Sequence, residues 1–432
     1  MKVAFVCLGS GPLFDPAIRT AVGGMEIRAW LLARGLARLR SHEVHFLTAG
    51  PVRTAAPAQD GIALWAYDPR CENRRDDWRR RLYRFNRSAD CFARRKNRFP
   101  WFEVRRPERA ALWLALRKLR LTSPDTVAEE CADALFPKRI YARIGADRFL
   151  CFGVSWLAAE VVSSCRRLGR RSMLLLASDG DLDAAYRPES VSRNAYLSPE
   201  RLCHYALANA DGIVAQTRRQ QQLLKERFGR EAALLRSPIE LEDAPAPLER
   251  PPGAGYALWI GRAETFDKRA DLALRLAQSC PEIPFLWVMV RKGPEDYYSQ
   301  IQDRLPANVR VVEQVPYEEL PGLFRGARVL VNTSAREGFP NTFLQAGKYF
   351  VPVVSLEVDP DGFLQAQECG LVAGGSPERQ AELLRRVWNE PEPAARLARN
   401  LHAQVRREHG LEGRARELAA LLEAAATHPC AV

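Results

Sequence analysis

No stretch of this 432-residue chain stays apolar for the roughly 18 residues that a membrane-spanning helix needs, so it is not expected to cross a bilayer. Its first residues, MKVAFVCL, hold one lysine and a short apolar run, then Gly-Ser-Gly-Pro. They lack the small-residue cleavage site of a secretory leader and suit a first buried strand. The ten cysteines form no C-x-x-C pair and several sit in apolar runs, which favours reduced, buried thiols and a cytoplasmic protein over a disulfide framework. The six histidines make no H-x-x-x-H pair, so a structural zinc is not expected. No G-x-G-x-x-G opens the first helix, which removes the dinucleotide fingerprint. What remains is a globular composition, with 47% apolar and 27% charged residues, in a chain long enough for two domains.

Charge is concentrated in one place. Residues 70–120 carry eighteen Arg or Lys against six Asp or Glu, a surplus of +12 that equals the net charge of the whole chain. Trp78, Tyr83, Phe85, Phe92, Phe99, Trp101 and Phe102 are interleaved with the basic residues. Such a segment can lie on an anionic membrane surface, or it can be a solvated insertion whose aromatics pack on its own domain. No nucleic-acid-binding motif accompanies it, so nucleic acid is not expected as a partner.

The rest alternates short apolar strands with helical stretches. Strands are expected at Lys2–Leu8, Glu43–Thr48, Arg148–Val154, Met173–Ala177 and Ile213–Gln216, with a helix from Met25 to Leu39. A Pro- and Gly-rich linker spans Leu241–Gly255. Beyond it come strands at Tyr256–Ile260, Phe285–Val290, Val309–Val312 and Val329–Asn332, a helix at Arg269–Gln278 and a helical tail at Leu411–Ala425. This is an α/β pattern of two doubly wound, Rossmann-like domains.

Several loops have the residue types of a ligand site. Gly23 and Gly24 open the first helix, where backbone N–H groups can come close to a ligand, although a plain tight turn explains them as well. Gly261-Arg262 ends a strand and Lys268 precedes the next helix, so both cations can face one anion; two exposed surface cations are the plain alternative. Ser178-Asp179-Gly180-Asp181-Leu182-Asp183 follows a strand and could hold a cation or cap a helix. After the run Ala327–Val331 comes NTSAREGFPNTFLQ, with Pro340 suited to a helix's first turn and Asn341 and Thr342 able to cap it. That helix start favours an anion, while Glu337 beside it suits hydroxyl groups, or is simply solvated.

The stretch EGFPNTFLQAGKYFVPVVS resembles the signature of the retaining, nucleotide-sugar-dependent glycosyltransferases of family 4 (glycosyl transferases group 1), which share the GT-B fold. Glu337 matches the first acidic position of that signature. Gln345 stands at the second, and Gly347 and Pro352-Val353-Val354 match its downstream elements. The resemblance implies two Rossmann-like domains facing a cleft, 1–243 on the acceptor side and 244–410 on the nucleotide-sugar side. A helix at 411–425 would pack back on the first domain. It implies catalytic roles for Glu337, Arg262 and Lys268, and donor binding by Gly23, Gly24, Gly261, Gly338, Phe339, Asn341, Thr342 and Gln345. Ser178 and Asp179 occupy the place of the family's His-Asp pair, near the transferred sugar. No metal and no other cofactor is expected. The implied partners are a nucleotide sugar and a glycan or lipid-linked acceptor; the basic segment, by its own composition, could add peripheral contact with the inner face of a membrane. Two other readings stay open: a non-catalytic GT-B subunit that binds such molecules, favoured by Gln345 and Ser178, and a sugar-nucleotide epimerase.

Overall fold

The computed structural model describes residues 1–15, 18, 22–49, 60–67, 131, 134–136, 138–241, 254–291, 296–313 and 315–424. The basic segment and most of the linker lie outside these. The first domain holds β1 Lys2–Val6, β2 Glu43–Ala49, β3 Ile62–Tyr67, β4 Arg148–Phe152, β5 Arg171–Leu175, β6 Gly212–Ala215 and β7 Ala233–Leu234. The second holds β8 Tyr256–Arg262, β9 Phe285–Val290, β10 Val309–Val312, β11 Ala327–Asn332, β12 Val353–Ser355 and β13 Gly370–Val372. Among the described residues every pairing between these strands is parallel.

The two sheets share one topology. The first runs β3-β2-β1-β4-β5-β6-β7 and the second β10-β9-β8-β11-β12-β13. Counted from each domain's own first strand, both follow the order 3-2-1-4-5-6, to which the first sheet adds a seventh strand at its edge. The winding reverses between β1 and β4, and again between β8 and β11. Loops leaving the carboxyl ends of those strands therefore flank the natural ligand crevice of each domain.

Strands buried on both faces explain why the sequence reads as continuous apolar runs there. In β1 only Lys2 is part-exposed, and all of β4 is buried. Helix Gly24–Arg38 lays Trp30, Leu32 and Leu36 on Phe5 and Phe46, with the Phe14 ring 4.8 Å from Trp30 and 5.0 Å from Phe46. In the second domain Trp259 and Trp287 pack 5.8 Å apart, and the Trp259 indole donates to Thr333 Oγ1 at 2.9 Å. The strands expected from sequence are present with ends moved by up to two residues; β3, β7, β12 and β13 were not anticipated as strands, and all but β3 are only two or three residues long.

The chain crosses between domains twice, at adjacent points. Ile239 donates its N–H to His409 O at 2.8 Å, and Leu411 donates to Ile239 O at 3.0 Å. His409 is wholly buried there, and burial lowers its pKa to about 3, so it is neutral. Beyond it, helix Leu411–Ala424 packs on helix Gly24–Arg38 at Gly35. A Cβ on Gly35 would lie 2.8 Å from Ala415 Cβ, so this interior glycine serves close helix packing.

Candidate functional site

Arg262 closes β8, and the turn after it is organised by Glu264. This carboxylate accepts three backbone N–H groups: Phe266 at 2.8 Å, Asp267 at 2.9 Å and Lys268 at 2.7 Å. The next residue, Arg269, has a left-handed φ of +48° and donates to Thr333 O at 2.8 Å and Ser334 O at 3.1 Å. Thr333 in turn donates to Lys268 O at 2.8 Å. The turn after β8 is thus pinned to the loop after β11, and the Lys268 ammonium forms an ion pair with Glu337. Six residues separate Arg262 from Lys268 in sequence, and Glu264 is what folds them onto one side.

Helix Asn341–Lys348 starts directly after this loop. Its N-cap is Pro340, and no side chain caps it. Asn341 does not cap, contrary to its sequence expectation; its amide reaches the other domain and donates to Gly24 O at 2.6 Å. The first turn of helix Gly24–Arg38 and that of helix Asn341–Lys348 therefore meet, bringing two helix N-termini together from opposite domains. Each contributes partial positive charge and backbone N–H groups to the same place. Glu26 sits beside them with its Oε1 2.6 Å from where a Gly9 Cβ would be, and its Oε2 crowds Gly23 just as closely. A side chain at either position would have to displace the Glu26 carboxylate. Burial raises the Glu26 pKa, opposed by the N–H groups of Glu26 and Gly23 and by Arg262. Arg262 is correspondingly held charged: burial disfavours the guanidinium, but Tyr196, Glu264 and Asp267 more than compensate.

The cluster after β5 is a cap and not a cation site. Ser178 Oγ accepts Gly180 N–H at 3.0 Å, and Asp181 accepts Ala177 N–H at 2.6 Å and Val154 N–H at 3.1 Å. Among the described residues no group of three His, Cys, Asp or Glu could hold a metal ion. Asp179 is placed differently from its neighbours. Its N–H donates to Glu337 O at 3.2 Å, and its carboxylate accepts Arg219 Nε at 3.0 Å. Burial pushes the Asp179 pKa up to about 6 against the pull of Arg219.

The other candidates divide. Gly261 lets Trp259 and Lys268 approach, since a Cβ there would meet the indole at 2.6 Å. Gly338 fits between Ala177 O and the Gln216 amide, each 2.7 Å from a would-be Cβ, so it serves domain contact. Phe339 turns inward: its ring is buried against His409 at 4.4 Å and Phe363 at 4.9 Å, and its N–H donates to Gln216 Oε1 at 3.3 Å. These contacts anchor the loop. Thr342 and Gln345 are half-buried on the helix, with no side-chain hydrogen bond among the described residues.

Four further residues were not singled out from sequence: Glu264, Gln216, Tyr196 and Asp267. Glu264 had a local signal, an acid two residues past a strand end and just before a helix. Gln216, Tyr196 and Asp267 had none, because each acts through contact with the other domain: Gln216 with Phe339 N–H, and Tyr196 with Arg262 and Asp267. Gln216 accepts from Ser237 Oγ at 2.7 Å and donates to Leu176 O at 2.8 Å. Tyr196 receives Arg262 Nη2 at 2.6 Å and donates to Asp267.

Comparison with known proteins bears on the family and the fold. Residues 254–390 match the family model described as glycosyl transferases group 1. A curated relative, glycosyltransferase 1 domain-containing protein 1 of Xenopus tropicalis, is 26% identical over 105 residues, which span 24% of this chain and 30% of that protein. Sucrose-phosphate synthase of Thermosynechococcus elongatus superposes with a TM-score of 0.66 at 16% identity, over 98% of each chain. Anabaena HepE, solved in complex with UDP and glucose, gives a TM-score of 0.62 at 14% identity, over 98% of this chain and 100% of that one. The chain therefore has the GT-B fold of glycosyltransferases and, over residues 254–390, resembles the glycosyl transferases of group 1.

Proposed function

We propose that this protein transfers a sugar from a nucleotide-sugar donor to a glycan or lipid-linked acceptor, with retention of configuration. The observation that carries this reading is the meeting of two helix N-termini across the domain boundary, with Arg262 close to Glu26 beside them and Lys268 paired with Glu337 in the preceding loop. Arg262 Nε is buried without an acceptor, and an orphaned donor of that kind costs about 1–3 kcal/mol, which a phosphate oxygen would relieve.

In the mechanism, negative charge grows on the leaving diphosphate as the glycosidic bond breaks. Arg262, Lys268 and the N–H groups at Asn341 and Gly24 are preorganised to stabilise it, each such donor supplying about 2.7–4 kcal/mol in comparable sites. Glu337 would exchange its bond to Lys268 for sugar hydroxyls, leaving Lys268 free for phosphate. The departing phosphate oxygen would take the acceptor's proton. With side-chain cations in that role, no metal is required. Asp179, whose N–H bonds to Glu337 O, would lie on the sugar side if Glu337 holds sugar hydroxyls, whereas the Ser178 hydroxyl already serves as a cap. HepE, in whose structure UDP and glucose are bound, supports a nucleotide sugar as the donor class.

A thermal-shift series with UDP, GDP and ADP and their hexose conjugates tests the donor class. One base family is expected to stabilise the protein, by about 2.7 kcal/mol at 100 times its dissociation constant. With that donor, Glu337→Ala and Lys268→Ala should each lower transfer at least about tenfold. Gln345, in place of a second carboxylate, favours the rival reading of a non-catalytic binding subunit. Nucleotide-sugar binding with no transfer to any glycan or lipid-linked acceptor would support that rival. The basic segment is proposed to contact anionic membrane; neutralising Arg79 to Arg98 should weaken binding to anionic vesicles and spare nucleotide binding.

A further inference from the structure

We propose that Tyr196 is a positioning residue that clasps the two domains together and orients Arg262 towards an anion. The second half of this proposal rests on the reading of Arg262 as a phosphate-binding cation; the first half does not.

Tyr196 belongs to the first domain, on a tight loop between Arg193 and Pro199 that is built around Asn194. The Asn194 carboxamide oxygen accepts the N–H groups of Tyr196 and Ser198, both at 3.0 Å. Asn194 O accepts Leu197 N–H at 2.9 Å, and Arg193 donates to Leu197 O at 3.1 Å. Leu197 is held at a φ of +62°, a conformation unfavourable for a residue with a side chain, and is 73% exposed. Neither its strain nor its exposure helps folding. Both follow from a loop held so that its neighbour, Tyr196, extends to the second domain.

There the Tyr196 ring makes an edge contact with Phe266 at 6.2 Å and stacks under the Arg262 guanidinium at 4.9 Å. Its hydroxyl, with one proton and two acceptor positions, donates to Asp267 and accepts from Arg262 Nη2 at 2.6 Å. Asp267 is itself held by Arg336, whose Nε is 3.0 Å and Nη2 2.9 Å from Oδ1. Arg336 also approaches Asp183 of the first domain at 3.8 Å. Three charged groups of the second domain thus meet two side chains of the first, with Tyr196 at the centre.

For Arg262 the consequence is directional. Ring stacking fixes the plane of its guanidinium, and the hydroxyl and Asp267 fix Nη2. Nε is left buried and without an acceptor, and Nη1 has none among the described residues. The nitrogens not held by the clasp are the ones free to receive phosphate oxygens. Closing the domains and presenting those nitrogens are therefore one event.

The test uses the full chain with Tyr196→Phe, which keeps the ring and loses both hydroxyl bonds, and Tyr196→Ala, which loses everything. Without ligand, small-angle scattering and hydrogen exchange are expected to show a larger radius of gyration in both variants. Exchange should quicken at 177–181 and 336–341, segments that touch across the domain boundary. Unchanged scattering and exchange in Tyr196→Ala would overturn the clasp. Calorimetry with UDP, GDP, ADP and the matching nucleosides tests the orienting role. Tyr196→Phe should weaken the nucleoside diphosphate by about five- to tenfold and leave the nucleoside unchanged, about 1–1.4 kcal/mol confined to the phosphates. Equal losses for both, or none, would overturn that role. If none of these nucleotides binds the wild-type protein, the phosphate reading of Arg262 and the orienting role fail together, while the ligand-free measurements still decide the clasp.

Discussion

Replacing Lys268 by Met, Glu337 by Gln, and then both tests whether their ion pair joins the two loops of the second domain. Two opposite charges about 4 Å apart attract by about 4 kcal/mol at an effective dielectric of 20. Dehydration and the immobilised lysine offset part of this. The side chains are 24% and 14% exposed, between the surface case, worth under about 1 kcal/mol, and the buried case of about 3–5 kcal/mol for stranding one partner. Lys268→Met leaves the more buried charge alone and should destabilise the second domain by about 2 kcal/mol. Glu337→Gln, which strands the more exposed partner, should cost about 1 kcal/mol. The double variant should cost less than the sum, with a coupling of about 1–2 kcal/mol. For a domain of this size, 2 kcal/mol is a fall of about 4–8 °C in Tm. Urea unfolding with hydrogen exchange read on peptides covering β8 and β11 measures each variant within the relevant domain. Additivity to within about 0.3 kcal/mol would refute the argument, and would mean that the backbone bonds of Glu264, Arg269 and Thr333 hold the loops alone.

Other residues give independent checks. Gly338→Ala places a methyl 2.7 Å from Ala177 O and the Gln216 amide, so it should cost about 1–3 kcal/mol and speed exchange at the domain contact; wild-type exchange there would refute the close fit. Gln345→Glu adds a charge where the side chain makes no hydrogen bond among the described residues, and should tighten binding of the nucleotide sugar found in the thermal-shift series about five- to tenfold, read by calorimetry; no change would remove position 345 from the donor site. For Asp179 the folded pKa, about 6, is raised above the ordinary 3.8, so its contribution to stability is fully present below about pH 4 and is lost as pH rises through 6. Asp179→Asn should therefore raise Tm relative to wild type more at pH 7.5 than at pH 4.5, and a difference that does not vary with pH would refute the shift.

Much of the fold was legible because the central strands are buried on both faces and so appear as unbroken apolar runs. β9 and β10 match their expected ends, and the helix after Pro340 begins where its proline places it. The edge strand β7 was not legible, since two half-buried residues carry no periodic signal. Within the site, Arg262, Lys268 and Glu337 stood out through local chemistry and resemblance. Phe339 was expected at the donor site from the signature, and only the structure showed that its ring is buried against Phe363 and His409. Nothing local explains a glycine at position 35 inside a helix; the last helix, packed on it, does.

From its own residues the chain determines where strands and helices form, that they alternate into parallel sheets, and which loops follow the strand ends. These depend on patterns of a few neighbouring residues, through burial, backbone conformation and capping. Only the tertiary structure decided which loops share a site. Tyr196 is 66 positions from Arg262 and Gly24 is 317 from Asn341, yet each pair makes a hydrogen bond. Such contacts depend on how two separately wound domains are docked, through Gln216, His409 and the last helix, and no local pattern encodes that geometry.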